Sequence, residues 1–236
     1  MEIKEMFNSH EITIIKPEKA AEGNPWVWRA EFFGAFDYAD QALLRQGWHI
    51  AYYRICDMYG CPEAVELMKK FHDYVVEKYK LNKRAAIFGF SRGALYAVNY
   101  SVKYPKDISS LYLDAPVLDI RSWPAGKGNG KYSKKEWEEC KALYGLDEEG
   151  AKNFAANPID KAGELVDTKI PVILVAGDSD RVVPYEENGA RLVAAYKNKG
   201  ISLPHIVKQG CDHHPHSLNP PTEVVDFVTA NFAAIE

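Results

Sequence analysis

An apolar run, Ala85-Ala86-Ile87-Phe88, ends at Gly89-Phe90-Ser91-Arg92-Gly93, and Leu95, Val98 and Val102 then recur at helical spacing. No other stretch restricts the fold so tightly. A buried strand must stop abruptly, turn on a single serine and enter an amphipathic helix. A serine in so sharp a turn sits in strained backbone, and the glycines two residues to either side leave room for neighbouring strand and helix. The Ser91 hydroxyl is thereby lifted to the top of a sheet. The next amide, that of Arg92, faces the same space.

The rest of the chain supplies the sheet. Glu11–Lys16 reads as an edge strand stopped by Pro17, and Trp26–Arg29 as the next strand, followed by a loop from Ala30 to Gly34. A helix from Tyr38 to Gln46 is closed by Gly47, and a strand follows from Trp48 to Ile55. Pro62 suits the first turn of a helix, whose apolar face (Val65, Met68, Phe71, Val75, Tyr79) continues to Lys80. Leu111–Val117, Pro171–Gly177 and His205–Gly210 are three further strands, with helices expected over Glu186–Lys199 and from Thr222. Strands that alternate with helices predict an α/β fold, a doubly wound and mostly parallel sheet.

The pattern breaks between Leu118 and Lys169. Pro124 to Gly130 is a glycine-rich loop, Ser133-x-x-Glu136 is a capping-box signature, and Asp147 is placed to cap a second short helix. This segment, residues 118–169, is expected to be a small helical lid inserted into a single domain of residues 1–236. Its Trp123, Tyr132 and Trp137 are aromatic surfaces able either to stack on a sugar ring or to fill the lid's own core.

Composition removes several classes. A net charge of −4, without a basic stripe, argues against nucleic acid. No apolar run reaches membrane-spanning length, and Met1–Lys16 has no signal-peptide core, so a cytoplasmic location is expected. Cys56, Cys61, Cys140 and Cys211 are too few and too scattered for a disulfide framework, and Cys56 and Cys61 are expected to stay free thiols.

A serine hydroxyl becomes nucleophilic only beside a base, and an imidazole base needs a carboxylate to fix its tautomer. In parallel sheets such groups gather at the carboxyl ends of strands. Asp180 follows one strand there and His213 follows the next. On Gly89-Phe90-Ser91-Arg92-Gly93, Gly177-Asp178-Ser179-Asp180-Arg181-Val182-Val183-Pro184 and Gly210-Cys211-Asp212-His213-His214, the chain resembles the α/β-hydrolase fold family, whose order is serine, acid, histidine. The resemblance implies Ser91 as nucleophile, Asp180 as the acid before a Val-Pro pair, and His213 as base. It places the oxyanion hole at the N–H of Arg92 with that of Ala30 or Glu31. Asp178 is the alternative acid. Asp114 and Asp57 also lie near strand ends but are expected to support loops through hydrogen bonds. The histidine loop looks like the Gly-x-Gly-His loop of hydrolases from bacterial polysaccharide-degrading loci, with Asp212 in place of the second glycine.

Asp212, His213, His214 and His216 also carry enough donors for zinc. Neighbours in a row seldom all face one ion, so no metal and no cofactor is expected. The chain thus reads as a serine hydrolase of carboxylic esters, with a small-molecule or carbohydrate ester as substrate and Trp123 and Trp137 as contacts. A small peptidase similar to the catalytic domain of prolyl oligopeptidases is the enzymatic alternative, and a non-catalytic ligand-binding hydrolase fold is the other. Oligomeric state is left open.

Overall fold

A computed structural model describes residues 1–233. Its strands are β1 (Glu2–Phe7), β2 (His10–Ile15), β3 (Trp26–Arg29), β4 (His49–Tyr53), β5 (Ala85–Phe90), β6 (Ile108–Asp114), β7 (Val172–Gly177) and β8 (His205–Lys208). The helices are α1 (Tyr38–Arg45), α2 (Pro62–Tyr79), α3 (Gly93–Lys103), α4 (Lys134–Tyr144), α5 (Glu148–Lys152), α6 (Ala162–Asp167), α7 (Gly189–Asn198) and α8 (Thr222–Ala233). The strands form one open sheet in the order β1-β2-β4-β3-β5-β6-β7-β8, antiparallel at β1, β2 and β4 and parallel from there on.

Strands β3 to β7 are buried at every residue, as strands covered on both faces must be. Successive side chains feed two different cores. Trp26, Trp28, Ala85, Ile87, Leu111, Leu113 and Leu174 pack against α2, α3, α6 and α7. Val27, Ala86, Phe88, Tyr112, Ile173 and Val175 pack on the other face against α1 and α8. Strand order reverses between β3 and β5. At such a reversal the connections leave in opposite directions, and a crevice opens outside the carboxyl ends of the strands.

The structure differs from the sequence reading in three places. The edge of the sheet is β1, a strand not anticipated because Glu2-Ile3-Lys4-Glu5 is largely charged. It pairs with β2 through a tight turn in which Asn8 and Ser9 both have positive φ (46° and 65°). Strand β6 ends at Asp114 rather than Val117, because Ala115 turns out of the sheet at a φ of 42°. The inserted segment is not one lid. Its α4 and α5 bury Ile120, Ala125, Trp137, Cys140 and Ala151 in a separate cluster with Tyr59, Leu95 and Val183 from outside the segment, whereas Ile159, Ala162, Leu165 and Val166 belong to the main core. Helix α6 is therefore part of the layer over the sheet.

Ser133 stands at the start of α4 as expected, but its hydroxyl bonds the Glu136 carboxylate instead of a backbone amide. Asp147 caps α5 by accepting from the Gly150 N–H at 2.7 Å. Among the described residues no helix is long and apolar enough to cross a membrane. All four cysteines are free.

Candidate active site

Ser91 sits between β5 and α3 with a φ of 48°, a left-handed backbone that is costly for a side-chain-bearing residue. The surroundings hold it there. Its N–H donates to the Asp114 carbonyl at 2.9 Å, and its carbonyl accepts from Val117 N–H at 3.0 Å and Ala94 N–H at 3.1 Å. The flanking glycines are not equivalent. A Cβ on Gly89 would lie 2.9 Å from the Cα of Ala94, so its absence lets α3 press on the strand. A Cβ on Gly93 would lie in ordinary van der Waals contact with Glu31, 3.4 Å from its Cβ, so the loop after β3 passes close by without requiring the glycine.

The structure brings Ser91, His213 and Asp180 together. Ser91 Oγ lies 3.0 Å from His213 Nε2, and His213 Nδ1 lies 2.7 Å from Asp180 Oδ2. An ionised carboxylate only accepts, so Nδ1 carries the proton and the Nε2 lone pair faces the hydroxyl. Asp180 Oδ1 accepts the N–H groups of Val182 (2.9 Å) and Val183 (2.8 Å), which fixes the carboxylate from behind. All three residues are buried, Ser91 retaining 8% of its surface. Asp178 faces elsewhere. Its Oδ1 accepts from Gly210 N–H at 2.7 Å, holding the start of the histidine loop.

Asp212, where the related loop has glycine, is a clamp between the two loops. It accepts the N–H of His213 at 2.8 Å and that of Arg181 at 3.0 Å, and it pairs with the Arg181 guanidinium. The hydrogen bonds from Arg181 and His213 hold its carboxyl well below the usual carboxylate range.

The loop after β3 separates the two amides offered for an oxyanion. Ala30 N–H donates to the Phe88 carbonyl at 3.1 Å, continuing the sheet. It is not free to bind an oxyanion, which corrects that assignment. The N–H groups of Glu31 and Arg92 have no partner among the described residues, and the Glu31 nitrogen lies beside Gly93 at the start of α3. The Glu31 carboxylate turns inward to Arg92 Nε at 3.0 Å, and Arg92 also reaches Asp57 at 2.7 Å. Burial pushes the Glu31 carboxyl up, with the Arg92 charge acting against it.

Sequence reasoning missed what holds this loop. Arg29, fully buried at the end of β3, donates to the carbonyls of Phe32 (2.9 Å) and Ala35 (2.8 Å) and pairs with buried Asp40 at 3.2 Å. Only the oddity of a charged residue ending an apolar strand signalled it. Asp114 does support a loop. It accepts from Tyr112 (2.6 Å), from the Ser217 N–H (2.9 Å) and from His216 Nδ1 (2.8 Å).

The lid aromatics divide. Trp137 is 3% exposed and packs inside the lid cluster, so its assignment as a substrate contact is corrected. Trp123 is half-buried at the edge of that cluster, with its ring 6.3 Å from Tyr59.

The sequence profile of the prolyl oligopeptidase family matches residues 52–232, well over half of the chain and all of the elbow, acid and histidine segments. The chain belongs to the prolyl oligopeptidase family. Members of this family are serine hydrolases with the α/β-hydrolase fold. Solved structures with that fold include a puromycin-hydrolyzing peptidase from Mycobacterium tuberculosis (16% identity, TM-score 0.71, covering 98% of this chain and 38% of that one). Another is dipeptidyl peptidase 4 of Porphyromonas gingivalis (15% identity, TM-score 0.69, 99% and 35%). A third is described as a candidate lipase from Acinetobacter baumannii (17% identity, TM-score 0.63, 100% and 91%). The chain thus spans less than two fifths of the length of these two peptidases.

Proposed function

We propose that this chain hydrolyses acyl substrates through an acyl-enzyme, as a serine hydrolase of the prolyl-oligopeptidase type. The observation that carries the reading is the continuous hydrogen-bond chain from Ser91 Oγ through His213 to Asp180. Both distances lie within reach for proton transfer and for orienting the base.

In this reading Ser91 Oγ attacks the acyl carbon while its proton passes to His213 Nε2. Asp180 keeps the imidazole in one tautomer and stabilises the imidazolium. The oxyanion of the tetrahedral intermediate is met by the N–H groups of Arg92 and Glu31, neither of which is used by another hydrogen bond among the described residues. His213 returns the proton to the leaving amine or alcohol. Water then repeats the cycle on the acyl-enzyme, and the carboxylic acid leaves.

Family membership favours a peptide or other amide substrate. The match to the lipase-like structure over 91% of its length favours a carboxylic ester as the second reading. With Trp137 buried, Trp123 is the remaining lid tryptophan for an acylated carbohydrate.

A matched pair of substrates separates these readings: one acyl group presented as a p-nitrophenyl ester and as a p-nitroanilide. Turnover of both, lost together in Ser91→Ala, is the expected result. Turnover of the ester alone would select the esterase reading.

A further inference from the structure

Three histidines cluster around the candidate base, and two of them are held in the same way. His213 Nδ1 bonds Asp180 at 2.7 Å, and His216 Nδ1 bonds Asp114 at 2.8 Å, both carboxylates being buried. Each carboxylate fixes the proton on Nδ1 and leaves Nε2 as a lone pair. A carboxylate behind an imidazole is also the arrangement that orients histidine ligands of zinc and raises their basicity. His214 completes the group from the exposed side. Its ring centre lies 5.0 Å from that of His213 and 4.7 Å from that of His216. One ring nitrogen from each of the three histidines lies within 4.8 Å of the others.

We propose that His213, His214 and His216 form an inhibitory site for a divalent zinc-like cation. The cation takes the lone pairs of His213 Nε2, His216 Nε2 and one nitrogen of His214, with water in the fourth position. Tetrahedral zinc with bonds of 2.0–2.1 Å needs ligand nitrogens about 3.4 Å apart. The nitrogens must therefore close by up to about 1.4 Å. Exposed His214, whose ring stacks on Phe36 and makes no hydrogen bond among the described residues, is the group best placed to supply that movement. His213 keeps its Nδ1–H on Asp180 throughout. The lone pair that would receive the Ser91 proton is occupied, so Ser91 cannot be deprotonated while the cation is bound. This inference adds a control to the hydrolase reading and rests on that reading only for its effect on activity.

Binding is measurable without turnover. Ser91→Ala, dialysed against zinc chloride after chelator treatment, is expected to take up one zinc per chain. His214→Gln in the same background is expected to weaken that binding tenfold or more, and His216→Gln to do likewise. In the unaltered chain, zinc over the same concentration range should block fluorophosphonate labelling of Ser91, and chelator should restore it. No stoichiometric uptake by Ser91→Ala, or uptake that His214→Gln leaves unchanged, overturns the proposal. His214 is exposed, so its substitution leaves the fold intact and the result readable. Zinc uptake without any labelling of the unaltered chain would count against the hydrolase reading and leave the metal site standing.

Discussion

His213 is held at both ring nitrogens, and the two bonds depend on each other. With Nδ1–H given to Asp180, Nε2 must accept from Ser91. Asp180→Asn replaces an acceptor-only group by one able to donate, which admits the wrong tautomer. Such a change is expected to lower kcat/KM by about a thousandfold or more. Asp178→Asn, which touches only the Gly210 end of the loop and the Ser179 hydroxyl, is expected to cost less than about tenfold. Steady-state rates of the two purified variants check the order, and the reverse order would move the acid to Asp178. The Val182-Val183-Pro184 context that pointed to Asp180 has a physical basis, since both valine N–H groups end on its carboxylate. The clamp at Asp212 was not legible. A pattern in which glycine is usual says nothing of what an aspartate gains there by binding two loops. Its carboxyl is held below its ordinary 3.8 by the bonds from Arg181 and His213. The folded chain therefore keeps this carboxylate ionised to lower pH than the unfolded chain does. Its stabilisation is complete above pH 3.8 and is lost as pH falls through the depressed value. Denaturant midpoints of the unaltered chain and Asp212→Asn should differ at neutral pH and converge in acid. A constant difference across that range would show that the charge is not what matters.

At the scale of elements, the site depends on how loops are fastened to the carboxyl edge of the sheet. The β5–Ser91–α3 unit was legible because its first glycine follows from close contact: a side chain at position 89 would strike the backbone of α3. The loop after β3 carried no such mark, since its chemistry lies in backbone N–H groups. Arg29 holds that loop through two carbonyls and is neutralised by Asp40 in a buried pair. Burial pushes the Asp40 carboxyl up, and the Arg29 charge acts against it. Arg29→Met would leave Asp40 buried without its partner, at a cost of about 3–5 kcal/mol. It would also leave the carbonyls of Phe32 and Ala35 without their donor. Hydrogen exchange should quicken over residues 30–36 well beyond the global change, and kcat should fall more than KM rises. Uniform exchange with unchanged kcat would limit Arg29 to a role in stability. The lid was only half legible for a related reason. The capping-box signature located α4, but an aromatic side chain on it looks the same whether it meets substrate or the protein's own core, and Trp137 shares one cluster with Cys140 of the lid and with Leu95 and Tyr59 beneath it.

For the whole molecule, alternation of strands and helices was enough to predict the sheet class, and the reversal between β3 and β5 determines where the loops meet. The chain order of nucleophile, acid and histidine follows from that topology. Ser91 leaves β5, Asp180 leaves β7 and His213 leaves β8, all at the same edge. What the sequence could not supply was the distance between these loops, since residues 122 positions apart bond only through the finished sheet. The central claim is that this meeting activates Ser91. Treatment with a fluorophosphonate probe, followed by peptide mass spectrometry, tests it without any assumption about substrate. The account predicts one adduct, on the peptide carrying Ser91, absent in Ser91→Ala and slowed at least a hundredfold in correctly folded His213→Ala. A folded chain that does not react, or reacts at another residue, would contradict it and favour a binding protein built on a hydrolase fold.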